Sequence, residues 1–292
     1  MPLRLADLFC GIGSFTKTFE DLGMKSVFAC DIDAAARSHY QRNFKHKVDA
    51  DICKVDMQTV PAFDVLTAGF PCQAFSSIGK ELGTADPRGN LFFQTLKFID
   101  KHKPKFCVFE NVRAILQHKE FMEKLRESLT SRGYELHEKV LNAADYGSPQ
   151  NRHRLFIVAI RNDIKCIDFF SDVETASLSL NDLFSAEKGV TFERNFSKTI
   201  RCGGRGGRIG TGYCWRKLWV FNDKDERVEY AFSLEDCQKI QGFADYKFFG
   251  LKKDLWQLIG NTIPVAFTRA IGKRLLQVLE QQKPSKKRKR IK

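Results

Sequence analysis

The stretch LRLADLFCGIGSFTKTFEDLGMKSVFACDID, residues 3–33, decides the fold of this chain. Its apolar run at 3–9 reads as a strand and leads into a turn with glycines at Gly11 and Gly13. Phe15, Phe19 and Leu22 follow at i, i+4 and i+7, one apolar face of a helix, before a second strand at 26–32 that ends on Asp31. Strand, helix and strand in such quick succession imply parallel pairing through a right-handed crossover. The pattern repeats outward. Further strands are predicted around Val48 and at 63–70, 105–111 and 155–160, with a helix marked by Phe92, Leu96 and Ile99. The fold class is therefore α/β, a doubly wound sheet. Ligands of such sheets bind beyond the carboxyl ends of the strands, so chemistry is expected just after each one.

From about 161 to 245 the periodicity fades, and CGGRGGRIGTG at 202–212 holds six glycines in eleven residues. Tyr213, Trp215, Arg216, Lys217 and Trp219 follow, which marks a smaller, loop-rich second region. Phe267, Ile271, Leu275 and Val278 then give a last amphipathic helix, opened by Pro264 in its first turn.

Composition narrows the class further. Of 292 residues, 43% are hydrophobic and 28% charged, which excludes disordered, collagen-like and coiled-coil chains. No apolar run approaches the ~18 residues of a spanning helix. The opening MPLRLAD carries no secretory pattern. Nine cysteines, an odd number without a Cys-x-x-Cys pair, argue against a disulfide framework and against a zinc site. The expectation is a reduced, intracellular, soluble protein with neither membrane nor metal. The formal charge is +13, and the last ten residues, KPSKKRKRIK, supply seven of its cations and no acid. The first 282 residues keep 41 basic against 35 acidic side chains, or +6. The tail has two functional readings, a nuclear address and a non-specific hold on phosphate backbones.

The strand ends carry candidate chemistry. Gly11 and Gly13 permit close approach of a ligand, or simply make a turn. Asp31 suits the two hydroxyls of a ribose, whereas Asp33 fits a helix N-cap better. Asp51, after the stretch around Val48, is placed to accept from an adenine amino group. Together these positions point to adenosine, and no Walker-type phosphate loop is present. Cys72 follows Gly69-Phe70-Pro71 at the end of a strand and precedes a polar loop, where a reactive thiolate would be held. A lone cysteine is otherwise a small buried hydrophobe. Glu110 ends the fifth run, and Arg152 and Arg154 in QNRHR share one face of a strand.

In order, FCGIGSF, GFPCQAFS, ENV, QNRHR and Gly260-Asn261-Thr262 resemble the motif series of the DNA (cytosine-5) methyltransferases, over residues 3–160 and about 197–279. The resemblance implies a Rossmann-like sheet that takes S-adenosylmethionine and releases S-adenosylhomocysteine. It implies a catalytic and cofactor-binding domain at 1–160 and a small target-recognition domain at 161–245. A C-terminal segment at 246–282 would return its helix to the first domain, ahead of a basic tail at 283–292. By similarity, Phe9, Gly11, Gly13, Asp31, Ile32, Asp51, Pro71, Asn261 and Thr262 line the cofactor site, and Cys72 is the nucleophile.

The implied chemistry accounts for these residue types. Carbon 5 of cytosine is too poor a nucleophile for direct methylation, and thiolate addition at carbon 6 makes it enamine-like. Glu110 would relieve the ring charge at nitrogen 3, and Arg154 would hold the exocyclic oxygen, with Arg152 supporting the same site. The base must leave the stack, which makes the polar loop through Ser76, Gly79, Gly83, Arg88 and Gly89 the expected lid. Gln73 or Ile78 would fill the vacated space. Two departures are mild: Ser14 stands where the family often has glycine, and Asp31 where it often has glutamate. The larger one is a recognition segment reduced to about 161–197 and the Arg- and Gly-rich 201–217 stretch. Arg201, Arg205 and Arg208 are its candidate readers of phosphate or guanine.

The expectation is thus a monomeric enzyme acting on double-stranded DNA at a short or relaxed target, nuclear if the tail is an address and otherwise cytoplasmic. The alternatives are an RNA methyltransferase of the related tRNA-methylating branch and a catalytically silent DNA-binding protein. The first would carry a Cys-Phe-Thr tripeptide that this sequence lacks, and the second would have lost Cys72, Glu110 or Arg154, all of which are present.

Overall fold

The computed structural model describes residues 1–44, 46–71, 91–202 and 215–282. Its first half runs β1 (Arg4–Leu8), α1 (Ser14–Asp21), β2 (Lys25–Cys30), α2 (Ala34–Phe44), β3 (Val65–Ala68), α3 (Leu91–His102), β4 (Phe106–Val112) and α4 (Lys119–Thr130). Then come β5 (Tyr134–Asn142), the two-residue β6 (Gln150–Asn151), β7 (His153–Arg161), α5 (Leu180–Lys188), β8 (Thr191–Phe192) and β9 (Ser197–Lys198). β10 (Lys217–Phe221), β11 (Arg227–Ala231), α6 (Leu234–Gln241), α7 (Lys252–Asn261) and α8 (Val265–Gln281) complete the described chain.

The main sheet has the order β2-β1-β3-β4-β7-β5. The β1–β2, β1–β3 and β3–β4 pairs are parallel, as expected of strands joined by crossover helices. The doubly wound sheet is completed by two antiparallel pairs, because β7 runs antiparallel to both β4 and β5. β5 was not anticipated. Its sequence, YELHEKVLN, is that of an edge strand, and the charges Glu135, Glu138 and Lys139 hide its apolar positions.

A correction concerns Val48. The stretch makes no strand, only a single bridge in which Asp49 N–H donates to the Ala29 carbonyl (2.9 Å) and Asp31 N–H to the Asp49 carbonyl (3.0 Å). Pairing stops there because Asp51 turns its carboxylate onto the N–H of Cys53 (2.9 Å) and opens a short 3-10 turn.

Alternation along the strands divides the core between two faces. Cys107 and Phe109 of β4 pack with α3 and α4, through Phe92, Leu96, Phe121 and Leu125. Phe106 and Val108 pack on the other face with Phe15 and Phe19 of α1 and with Phe267, Ile271, Leu275 and Val278 of α8. Those four α8 side chains are wholly buried, which contributes roughly 1.5–3 kcal/mol each and brings the C-terminal helix back to the first strand.

The region 161–245 divides in its packing. Ile164, Cys166, Phe169, Phe170 and Val173 lie on the α8 face of the main sheet. The smaller core begins at Leu180 and joins α5 and α6 to the antiparallel β11-β10-β8 sheet through Phe184, Phe192, Val220, Phe232 and Ile240. Ser179 and Ser233 start α5 and α6 with capping boxes closed by Asp182 and Asp236. Ile259 of α7 enters the same core, so α7 lies at the seam from which α8 departs.

Candidate active site

The turn after β1 is set by close packing. A Cβ on Gly13 would stand 2.4 Å from Phe44 and 2.9 Å from Tyr40, and the backbone there has φ 87°. Phe9, at the ligand-facing end of β1, also has a positive φ of 54°. Gly11 N–H donates to Asp31 Oδ2 (2.7 Å), and Asp33 N–H to Asp31 Oδ1 (2.8 Å). Each carboxylate oxygen keeps one lone pair for a ligand hydroxyl. Burial raises the Asp31 pKa, opposed by those two N–H bonds. Arg37 donates to the carbonyls of Asp31 (2.9 Å) and Ile32 (2.7 Å), and the Ile32 side chain stands 77% exposed. Asp33 is the N-cap of α2, accepting from the N–H groups of Ala35 and Ala36. Asp51 gives one oxygen to its 3-10 turn, with Lys54 Nζ 3.8 Å from the other.

The C-terminal block closes onto this turn. Ser14, the departure at the glycine turn, donates to the Ile263 carbonyl (2.6 Å), and Thr18 and Thr268 share a buried hydrogen bond (2.6 Å). Asn261 is exposed and Thr262 buried, and Asn261 Oδ1 accepts from the Cys202 thiol (2.6 Å).

One neighbouring strand end holds a charged pair. Arg154 lies opposite Val112 in the β4–β7 register and reaches diagonally to Glu110, with Nε 3.0 Å from Oε1. Burial pushes the Glu110 pKa up, while Arg154 and Arg152 hold it down. Gly69 lies alongside, its Cβ direction 3.6 Å from Glu110 Oε2. Asn111 donates to the Phe70 carbonyl (2.9 Å), fixing the turn that exposes Pro71 one residue before Cys72. This half of the site can hold a flat polar group, donate from a guanidinium and exchange a proton with a carboxyl.

Arg152 does something else. It is 2% exposed, and its Nη1 and Nη2 donate to the carbonyls of Ile200 (2.8 Å) and Gly260 (3.1 Å). Burial and Arg154 push its pKa down, yet a guanidinium stays charged at neutral pH. Each terminal nitrogen thus gives a bond to backbone, while the buried Nε has no hydrogen-bond partner among the described residues, so Arg152 ties the site to the segments behind it. Arg201 is exposed, at the start of the Arg- and Gly-rich stretch. Cys72, Gln73, Ser76, Ile78, Arg88, Arg205, Arg208 and the tail 283–292 lie outside the described residues.

Two groups were not singled out from sequence. Asp7 is buried on β1 and accepts from Thr67 (2.6 Å) and Thr16 (2.9 Å). Its signal was an acid inside the apolar run LRLADLF. Gln241 ends α6, 1% exposed, and its carboxamide bonds Gln150 and the Ile259 carbonyl. Its signal was the helix stop Gln241-Gly242-Phe243. Among the described residues, no three His, Cys, Asp or Glu side chains gather as a metal site.

A profile of the C-5 cytosine-specific DNA methylases matches residues 3–201. The Type II methyltransferase M.HhaI of Haemophilus parahaemolyticus is 30% identical over 303 residues, spanning 90% of this chain and 91% of its own length. M.BsuFI of Bacillus subtilis is 38% identical over 294 residues, spanning 93% of this chain and 72% of its own. S. pombe Dnmt2 methyltransferase superposes with a TM-score of 0.76 at 19% identity, over 96% of this chain and 99% of that one, a likeness of fold.

Proposed function

The chain belongs to the C-5 cytosine-specific DNA methylase family, and on that footing we propose that it methylates carbon 5 of a cytosine flipped out of duplex DNA, with S-adenosylmethionine as donor. The observation that carries the reading is the Glu110–Arg154 pair at 3.0 Å, one strand over from the Gly69-Phe70-Pro71 turn that leads directly into Cys72.

The donor fits the first half of the site. Asp31 offers a lone pair on each oxygen to a ribose diol, Ile32 an exposed apolar face to the adenine, and the Gly11–Gly13 turn close backbone approach. Asn261 and Thr262 border the same turn, which Ser14 ties to Ile263. When bound, the donor supplies an electrophilic methyl on a sulfonium and leaves as the neutral thioether S-adenosylhomocysteine.

The chain's own residues do the rest. Cys72 as thiolate adds to carbon 6 of the ring, and the displaced electron pair makes carbon 5 the nucleophile toward the methyl. Glu110, its proton affinity raised by burial, protonates ring nitrogen 3 as the thiolate adds. Arg154 donates to the exocyclic oxygen while its Nε keeps Glu110 aimed. Loss of the carbon-5 proton to water then expels the Cys72 thiolate, and nitrogen 3 returns its proton to Glu110, which restores the neutral aromatic ring.

The test is transfer of labelled methyl groups to duplex DNA, with bisulfite sequencing of the product. Wild type is expected to modify cytosine, and Cys72→Ala to lose at least about 10³-fold in rate. Full activity in Cys72→Ala, or incorporation into tRNA but not DNA, would overturn the reading.

A further inference from the structure

Three polar side chains form a buried ring at the seam between the two cores. Gln150, Arg152 and Gln241 are 0%, 2% and 1% exposed. Gln150 and Arg152 alternate along the β6–β7 arm and so share one face. Gln150 Nε2 donates to Gln241 Oε1 (2.9 Å), and Gln241 Nε2 donates to the Ile259 carbonyl (2.8 Å) and, at 3.4 Å, to the Thr262 carbonyl. Gln150 Oε1 accepts from Ile200 N–H (3.1 Å), and Arg152 closes the circuit by donating to the carbonyls of Ile200 and Gly260.

The ring joins three segments with different tasks. Residues 259–262 border the proposed cofactor site, and Ile200 is two residues from Cys202, after which come Arg205 and Arg208. Arg152 is two residues from Arg154, the partner of Glu110. The first two segments also touch directly. A Cβ on Gly260 would fall 2.3 Å from the Cys202 nitrogen and 2.4 Å from the Arg201 carbonyl carbon, so the two backbones lie in contact. Within so buried a seam, an amide that loses one partner leaves the other unsatisfied, which couples the two carboxamides, Gln150 and Gln241, to one another.

We propose that Gln241, with Gln150, is a positioning residue that holds Ile200–Cys202 in register with the Gly260–Thr262 edge of the cofactor site, so that cofactor and DNA strengthen one another's binding. This rests on the methyltransferase reading above. The coupling is reciprocal by thermodynamic necessity.

The experiment uses the full chain, with S-adenosylhomocysteine as unreactive probe and a fluorescent duplex bearing the methylated site. DNA affinity is measured with and without the probe, and probe affinity with and without DNA. Wild type is expected to show a coupling factor of about fivefold or more. Gln241→Met keeps the side-chain volume and removes the hydrogen bonds. It is expected to bring the factor close to one while each binary Kd changes less than about twofold, and to raise the KM for S-adenosylmethionine at saturating DNA more than it lowers kcat. Gln150→Met removes the other half of the amide pair from the other arm and serves if Gln241→Met does not fold. Retention of the factor in a folded variant, loss of both binary affinities together, or a wild type that methylates without coupling would each overturn the proposal. A wild type that neither binds the probe nor methylates would overturn the methyltransferase reading with it.

Discussion

Asp7 lies wholly within the core on β1, held by hydroxyl donors from Thr67 and Thr16, with Tyr40 behind Thr16 (2.7 Å). Burial raises its pKa from 3.8 to about 6, against those hydrogen bonds and with a small push from Asp31. The folded state therefore holds this proton more tightly than the unfolded chain. The stability it confers is complete below pH 3.8 and lost as pH rises through 6, a difference on the order of 3 kcal/mol. Asp7→Asn removes the titration while keeping an acceptor for Thr67 and a donor toward Thr16. In urea titrations it is expected to gain stability over wild type at pH 8 relative to pH 4.5, by about 2 kcal/mol; an equal effect at both pH values would contradict this. For Glu110→Gln, which can hold the base but not exchange a proton, kcat is expected to fall about 10²–10⁴-fold with DNA affinity changed little. Unchanged kcat would remove Glu110 from the chemistry. Asp31 and Glu110 were legible as candidates because an acid near the carboxyl end of a strand faces the side where ligands of such sheets bind. Asp7 and Gln241 were not, because their partners at Thr67 and Gln150 are 60 and 91 residues away in the chain.

The same contrast holds for elements. Helices α1, α3 and α8 were readable because each spaces its apolar residues to cover one sheet face, and α8 starts one residue after Pro264. β5 escaped because an edge strand needs only occasional apolar contacts, and Val48 misled because one buried valine, 5% exposed, looks like the middle of a strand. The junction after α6 gives a test of element packing. Gly242 has φ 82°, and a Cβ there would come 2.8 Å from Cβ of Val265, the first residue of α8. Gly242→Ala is expected to lose about 2–4 kcal/mol, part from the left-handed backbone and part from overpacking. Combined with Val265→Ala, the overpacking share should return and the backbone share remain, giving a coupling of about 1 kcal/mol or more in a double-mutant cycle. Strict additivity would mean that the two positions do not meet.

At the scale of the whole molecule, charge separates what selects from what attracts. Within the described chain, Arg152 is buried at the seam and Arg154 half-buried at the site, held to backbone carbonyls and to Glu110, so both are engaged locally. The tail contributes seven cations and no acid, with no role in the catalytic set. If it acts on DNA by displacing counterions, each phosphate neutralised adds about 0.9 to the slope of log Kd against log salt, so deleting 283–292 should reduce that slope by up to about 6. Affinity at low salt should fall while kcat at saturating DNA, and the sequence that is methylated, stay unchanged, since phosphate contacts position without reading bases. A nuclear address makes a separate demand: a reporter fused to KPSKKRKRIK should accumulate in nuclei. A truncated enzyme with an unaltered salt slope would assign the tail to targeting alone, and cytoplasmic reporter with a reduced slope would assign it to DNA. Composition could show only an excess of +13; its parts separate because guanidiniums held to carbonyls and to Glu110 and a cationic run beyond Gln282 act over different distances and answer to salt differently.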